Sequence, residues 1–259
     1  MSYPPLTVTF LGTGTSSGVP MIACDCEVCR SADPCDKRLR SSILVSSAST
    51  SLVVDTGPDF RCQMLRAAVK KLDAVIFTHP HKDHVAGLDD IRAFNFFSRK
   101  AMPIYANEMT QEVLIREFAY AFADTKYPGV PEMELNDIGN EPFNVGDIPV
   151  LPVSVWHLRM PVLGFRFGDF TYITDANRID PAEKEKIKGS KVLVLNALRK
   201  EKHISHFSLQ ESIELARELQ AETTYLTHIS HQMGLHQQVS RSLPPDVRLA
   251  CDGLQLHIG

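Results

Sequence analysis

The 259-residue sequence contains no apolar stretch long enough to cross a bilayer, and residues 1–5 lack the basic and apolar regions of a secretory signal. We therefore predict a cytoplasmic protein with no membrane-embedded part. Positive charge is not in excess, because 27 Lys and Arg stand against 31 Asp and Glu, a formal net charge of -4. A broad face for polyanions needs a basic surface, so long nucleic acid is not an expected partner.

Repeats, linkers and low-complexity segments are missing too. With 44% hydrophobic and 22% charged residues, the chain has the composition of an ordinary globular protein, and its length suffices to bury a full core. We therefore predict a single domain over residues 1–259. A strand meander is followed twice by strand–helix alternation, which predicts an α/β fold with two sheets between layers of helices.

Some local expectations follow from the same pattern. A helix is expected over residues 59–71, and another runs from the loop at 78–84 to about residue 98. Residues 124–148 hold several Pro, Gly and Asn with few apolar runs, so we expect an irregular excursion near the functional site. A closing hairpin is expected through residues 252–253.

Histidine is concentrated in one segment, directly after the apolar run at 74–77, which predicts a buried strand. Within six positions the segment places His79, His81, Asp83 and His84. Three imidazoles and a carboxylate so close would repel and desolvate one another, and a divalent cation removes that cost. His79 and His81 project to one side of extended backbone, whereas Asp83 and His84 follow the turn, which favours two adjacent metals over one. The alternative is a polar loop that merely contains several histidines.

The H-x-H-x-D-H pattern after a strand resembles the signature of the metallo-β-lactamase superfamily. The resemblance implies a four-layer αββα sandwich with a dinuclear metal centre at one edge. It also implies further ligands downstream, at the ends of later strands.

Three residues occupy such places: His157 after the strand at 150–156, Asp175 after 172–174, and His228 after 225–227. Taken alone, His157 could be a hydrogen-bonded surface residue, and Asp175 could cap a turn. Their order along the chain matches the superfamily, so the resemblance implies that all three bind metal.

The implied ligands fall into two sets. One metal would be bound by three imidazoles, those of His79, His81 and His157. The other would be bound by Asp83, His84 and His228. Asp175 and a water or hydroxide would bridge the two metals, which we expect to be manganese or zinc. Two cations that share one water lower its pKa and clamp a phosphoryl or acyl group under attack.

A second cluster lies near the N-terminus, where Cys24, Cys26 and Cys29 form a C-x-C-x-x-C motif. In a chain without a secretory signal such clustering is typical of metal binding rather than of disulfides. Three thiolates are one ligand short of a closed tetrahedral zinc site. Cys35 and a distant imidazole are both possible fourth ligands, and we predict His231, three residues after His228.

Several segments together resemble the PhnP family, phosphodiesterases of the bacterial carbon–phosphorus lyase pathway that hydrolyse a phosphoribosyl 1,2-cyclic phosphate. These segments are residues 12–29, 38–45, 53–65, 84–95 and 227–231. In that family three Cys and one His hold a structural zinc at places that match the Cys cluster and His231. The resemblance therefore implies a metal-dependent hydrolase that acts on a small, five-membered cyclic phosphodiester.

The predicted catalytic residues are Asp83 and His206. By alignment with the family, His206 has the position of the general acid that protonates the leaving alkoxide, and His203 is the reserve. Either histidine could instead cap the helix that begins near residue 208, although Ser208 is the better cap.

Other functions are compatible with the same pattern. The superfamily includes RNA-end-processing nucleases, but this chain has no basic Gly/Pro-rich arm. A branch of pyrroloquinoline quinone biosynthesis also carries a C-x-C-x-x-C element. Outside enzymology, the chain could be a metal-bearing scaffold or sensor. The resemblance also implies a homodimer and a small phosphodiester as the partners.

Overall fold

Short apolar runs make strands the main elements of the chain. In the computed structural model, which describes residues 3–259, fourteen strands are numbered in chain order. Their bounds are β1 Leu6–Gly12, β2 Ser42–Ser46, β3 Ser51–Val54, β4 Ala74–Ile76, β5 Met102–Ala106, β6 Met133–Asp137, β7 Phe143–Val145, β8 Ile148–His157, β9 Met160–Phe167, β10 Phe170–Tyr172, β11 Val192–Asn196, β12 Thr223–Thr227, β13 Val247–Leu249 and β14 Gln255–Ile258.

The helices are short. Within the described residues they are α1 Glu27–Arg30, α2 Phe60–Arg66, α3 Lys82–Val85, α4 Arg92–Ser98, α5 Glu108–Glu117, α6 Ala119–Phe122, α7 Pro181–Ile187, α8 Leu209–Leu219 and α9 His236–Ser240. The longest, α8, begins at a capping box in which Ser208 and Glu211 satisfy each other's backbone N–H groups. No helix among residues 3–259 is long and apolar enough to span a membrane.

The strands form two seven-stranded sheets, with the orders β14-β1-β2-β3-β4-β5-β6 and β13-β12-β11-β10-β9-β8-β7. In the first sheet β3 to β6 run parallel, and in the second β10 to β13 do. The remaining neighbours pair antiparallel.

The two sheets pack face to face across a fully buried core, to which Phe10 and Val45 contribute from one side and Phe165 and Tyr172 from the other. Burial of each such side chain contributes about 1.5–3 kcal/mol. The outer face of the first sheet packs against helices α2, α4 and α5, and that of the second against α7, α8 and α9. The predicted four-layer αββα sandwich is therefore confirmed.

Parallel pairing brings several loops to one edge of the sandwich, because carboxyl ends of parallel strands meet there. Asp55 follows β3, and the segment that begins at His79 follows β4. In the second sheet His157 ends β8, Asp175 follows β10, and His228 follows β12. The topology thus gathers side chains that lie far apart in the sequence.

Four local expectations are wrong. The segment 124–148 is not wholly irregular, since β6 and β7 lie within it as the edge strands of the two sheets. The expected closing hairpin does not form, because β13 pairs parallel with β12 whereas β14 pairs with β1 in the other sheet. The helix expected over 59–71 ends at Arg66, and the one expected through residue 98 is interrupted by the 3-10 turn Leu88–Ile91. Edge strands and interrupted helices are set by tertiary packing, which local patterns do not show.

Candidate metal centre

The shared edge of the two sheets carries all seven predicted ligands of the dinuclear centre. They are His79, His81, Asp83, His84, His157, Asp175 and His228. Most of these side chains are buried, and His81 lies at the exposed side of the group.

One group is tightly gathered around Asp175. Asp83, His84, Asp175 and His228 each offer one ligand atom within 4.8 Å of the others. The Nε2 atom of His84 lies 3.2 Å from a carboxylate oxygen of Asp83 and 3.3 Å from one of Asp175. The Nδ1 atom of His228 lies 3.2 Å from that same Asp175 oxygen. Two carboxylates and two imidazoles therefore point at one small volume.

The other three histidines form a looser group. His79 Nε2 lies 3.1 Å from His81 Nδ1, while the ring centre of His157 is 5.1 Å from that of His81 and 6.0 Å from that of His79. His157 also forms a compact set with Asp175 and His206, whose ligand atoms lie within 4.8 Å of one another. Asp175 thus belongs to both halves of the site, as a bridging carboxylate would.

Several nitrogens in the site are buried without a hydrogen-bond partner in residues 3–259. They are His84 Nε2, His157 Nδ1, His206 Nδ1 and His228 Nδ1. An unsatisfied buried polar atom costs about 1–3 kcal/mol, so four in one cluster call for a common explanation. Divalent cations among these nitrogens and the neighbouring carboxylates supply one.

The charges in the cluster support the same explanation. Burial lowers the pKa of His84, but the carboxylates of Asp175, Asp83 and Asp55 outweigh it and raise that pKa well above the usual range. Burial would raise the pKa of Asp175, yet His228 and His84 hold it well below the usual range. The carboxylates of Asp83 and Asp175 are thus ionised beside an imidazolium, and a metal ion would suit the position of its proton equally well.

Asp55 is a residue of this site that the sequence analysis did not single out. Its fully buried carboxylate accepts hydrogen bonds from the backbone N–H and the hydroxyl of Thr78, both at 2.8 Å, and lies 2.7 Å from His84 Nδ1. Such a contact fixes the imidazole so that Nε2 faces the centre. The signal was present in the sequence, because Asp55 ends a strand just as Asp175 does.

Two threonines orient further groups of the centre. The hydroxyl of Thr174 donates to a carboxylate oxygen of Asp175 at 2.6 Å, and the hydroxyl of Thr15 lies 3.3 Å from His228 Nε2. Because Nε2 of His228 is occupied in this way, its Nδ1 is the atom left to face the centre.

The backbone at the site is strained. Asp55, Asp175 and His228 have φ values of 65°, 55° and 55°, in the left-handed region that residues other than glycine seldom adopt. Strain of this kind costs roughly 1–3 kcal/mol and persists where the surroundings fix it, often at functional sites. All three residues follow strands of the parallel regions, where a sharp turn directs the side chain into the centre.

The two candidate proton donors differ in their surroundings. The ring of His206 is buried, 4.6 Å from that of His157 and 4.9 Å from that of His228. Burial, assisted by the nearby His228, lowers the pKa of His206 to about 3. His203 lies further out, with its ring 5.3 Å from that of His206.

The cysteine cluster is also assembled. Cys24, Cys26, Cys29 and His231 bring their ligand atoms within 4.8 Å of one another, and His231 Nδ1 lies 3.2 Å and 3.4 Å from the first two thiols. A set of three sulfurs and one nitrogen fits a closed tetrahedral zinc site. Cys35, the alternative ligand, lies outside this set and beside Cys251.

The thiols of the cluster differ in acidity. The backbone N–H of Cys29 and the imidazole of His231 lower the pKa of Cys26 to about 6, so this thiol is ionised at neutral pH. Burial raises the pKa of Cys29 to about 11. Bound zinc would favour the thiolate form of Cys29, which burial disfavours.

Comparison with known proteins shows the family of this chain. Residues 50–229 match the β-lactamase superfamily domain. The crystal structure of a diphosphatase from the PhnP family has a TM-score of 0.91 and 42% sequence identity, and 98% of each chain is covered.

Two relatives have a lower sequence identity to this chain. The octanoyltransferase of Porphyromonas gingivalis is 38% identical over 248 residues, which are 95% of this chain and 50% of that protein. This chain therefore spans only half the length of that relative. The ribonuclease Z of Methanopyrus kandleri is 24% identical, with 98% of both chains covered. The superfamily match and the likeness to the PhnP-family structure each cover most of this chain. The chain therefore belongs to the metallo-β-lactamase superfamily and, within it, to the PhnP family.

Proposed function

We propose that this chain is a dinuclear-metal phosphodiesterase that hydrolyses a small phosphodiester, with a five-membered cyclic phosphate as the first candidate. One observation carries the proposal: buried, unpartnered imidazole nitrogens and ionised carboxylates converge on one volume around Asp175. Nitrogen and carboxylate donors suit manganese and zinc, and we propose these metals here.

The ligand assignment is part of the proposal. Asp83, His84 and His228 would hold one cation, and His79, His81 and His157 the other, with Asp175 between them. Two cations bound in this way would lower the pKa of a shared water and offset the negative charge of a phosphate. The protein fixes the orientation of the ligand side chains. Asp55 does so for His84 by its contact with Nδ1. At the other site, Cys24, Cys26, Cys29 and His231 would hold a structural zinc.

His206 is proposed as the residue that delivers a proton to the leaving oxygen. Its unpartnered Nδ1 lies 3.8 Å from Asp175, at the side of the centre next to His157. The ring is neutral in the free protein, and an anionic phosphate beside it would favour the protonated form.

The role of His206 is tested with leaving groups of different basicity. For His206→Gln, we expect kcat on an alkyl or cyclic ester to fall about 100-fold, because an alkoxide must be protonated as it leaves. Bis(p-nitrophenyl) phosphate should lose much less, since p-nitrophenolate leaves without a proton. His203→Gln is the matched control. Equal losses on both substrates would contradict the role of His206.

A second substrate class has one specific observation in its favour, because the PhnP-family structure at 42% identity is that of a diphosphatase. The same donors would serve a diphosphate bond, where the leaving group is itself a phosphate. An RNA-end substrate has less support, because the ribonuclease Z relative is only 24% identical and this chain has a net charge of -4.

Phosphorus NMR tests the function directly. The protein, reconstituted with manganese or zinc, is mixed with ribose 1,2-cyclic phosphate 5-phosphate, with a 2′,3′-cyclic nucleotide, and with a nucleoside diphosphate sugar. We expect fast opening of the sugar cyclic phosphate and slower cleavage of the nucleotide. Cleavage of the diphosphate alone would make a diphosphate, rather than a cyclic ester, the substrate of this protein. Three intact substrates would overturn the proposal. The homodimer implied by the family resemblance stays a prediction.

A further inference from the structure

Two large apolar side chains stand exposed at the mouth of the candidate metal centre. Leu158 is 51% exposed and Ile204 is 73% exposed. Leu158 directly follows His157 in the turn between β8 and β9, and Ile204 lies two residues before His206. The two histidine rings are 4.6 Å apart, so each apolar residue is attached to one wall of the site.

One side chain holds the two apolar residues together. The carboxamide oxygen of Asn177 accepts a hydrogen bond from the backbone N–H of Leu158 at 2.8 Å, and its NH₂ group donates to the carbonyl of Ile204 at 3.0 Å. A single carboxamide thus spans the gap between the two backbones. Leu158 and Ile204 therefore form one fixed pair rather than two unrelated surface residues.

The backbone at Leu158 favours glycine. Its φ is 58°, and two-residue hairpin turns with a positive φ at this position usually contain glycine. A leucine here costs conformational free energy, and a side chain that is half exposed regains little of it by packing within the protein. Strain that packing does not explain, beside a functional site, points to a contact with a ligand.

We propose that Leu158 and Ile204 form an apolar subsite, held by Asn177, that binds the organic group of the phosphoester beside the metal centre. The inference rests on the proposed function and deepens it by naming the substrate class. The organic group next to the phosphate presents an apolar face, which the C–H face of a sugar ring, an aromatic ring or a nucleobase can each supply. An ester with only a methyl group there gains nothing from the subsite.

The test compares two diesters that release the same p-nitrophenolate, namely bis(p-nitrophenyl) phosphate and methyl p-nitrophenyl phosphate. The variant is the double substitution Leu158→Asn with Ile204→Ser, because Asn tolerates a positive φ. We expect its ratio of kcat/KM for the aromatic over the methyl diester to fall about tenfold. Leu65→Ser, at a leucine that is 64% exposed on α2, is the matched control and should leave the ratio unchanged.

A binding measurement keeps the subsite separate from the chemistry. Trp156, the single tryptophan of the chain, lies two residues before Leu158, so p-nitrophenyl phosphate bound there should quench its fluorescence. The Kd from this quenching should rise about tenfold in the double variant, whereas the Kd of competing inorganic phosphate should not change.

The outcomes separate the two proposals. If both the activity ratio and the quenching Kd are unchanged in an active double variant, the subsite is overturned. It is also overturned if sedimentation shows that the variant loses a dimer while the ratio stays constant, since the pair then serves a subunit contact. If the native protein hydrolyses neither diester and also leaves the substrates of the NMR test intact, the proposed function fails, and the quenching titration still decides whether the pair binds an aromatic phosphate.

Discussion

The chain contains two clusters of potential metal ligands, and they are built in opposite ways. The cysteine cluster takes three of its four ligands from six consecutive residues, and most of its side chains are only half buried. The centre around Asp175 takes its ligands from the ends of strands in two different sheets, and its core is buried. Local spacing thus defines the first cluster, whereas the topology of the sandwich defines the second.

The two clusters meet in the segment after β12. His228 faces the Asp175 group and His231 faces the thiols, while Ile229 between them exchanges backbone hydrogen bonds with Thr13 and Thr15. A metal held by the cysteines would therefore fix the loop that precedes them against the segment that carries His228. From this difference we expect one cluster to govern turnover and the other stability.

The largest effect is expected for Asp83→Ala. Loss of a carboxylate that faces His84 should lower kcat about a thousandfold or more, while the melting temperature of the metal-free protein changes little. Steady-state assays and thermal unfolding measure the two effects. Asp90→Ala, in the same segment but outside the ligand group, is the control. A variant that kept its turnover would contradict the catalytic role of Asp83.

Asp55→Asn is expected to have a smaller effect on the same centre. The amide preserves the shape but replaces an acceptor by a donor opposite His84 Nδ1, so the imidazole loses the contact that orients it. Changes to such supporting residues typically lower metal affinity or activity about 10- to 100-fold. Metal titration followed by assay at saturating metal separates the two contributions. An unchanged metal affinity and rate would show that packing alone holds the His84 ring.

The contrast between the clusters also explains what the sequence revealed. The sequence indicates Asp83 and His84 through the H-x-H-x-D-H motif, and Asp175 and His228 through an order after strands that resembles the superfamily. Asp55 follows the same pattern, yet its role depends on the parallel pairing of β3 with β4, which brings it beside His84. The positions of β6, β7 and β14 depend on which sheet each strand joins. Pairing between strands that are distant in the sequence is not visible in a local sequence pattern.

Cys26→Ser, in the cysteine cluster, should lower stability rather than turnover. Serine keeps an acceptor for the backbone N–H of Cys29 at the start of α1, so the variant removes the thiolate without removing the cap. Loss of a structural zinc should cost about 3 kcal/mol, which lowers the melting temperature of a chain of this size by ~10 °C. Zinc analysis should show one atom fewer per chain, while kcat at low temperature stays near that of the native protein. Cys62→Ser, at an exposed thiol on α2, is the control. If Cys26→Ser lost turnover without losing stability, the assignment of turnover and stability to the two clusters would be reversed.

The smallest effect is expected for Ala23→Gly. Ala23 has a φ of 62° in the loop before Cys24, and its exposed side chain is a methyl group that belongs to neither ligand cluster. Glycine relieves that strain, and we expect a gain of about 1 kcal/mol in the free energy of unfolding with unchanged turnover.

Ala48→Gly is the matched control: Ala48 is exposed too but does not have a positive φ, so glycine there should destabilise the protein by adding freedom to the unfolded chain. Opposite signs in the two variants, measured by denaturant unfolding, would show that strain near the cysteines is dispensable, unlike the strain that directs Asp175 and His228. A loss of stability in both would mean that the conformation of Ala23 is fixed by the cluster at no cost.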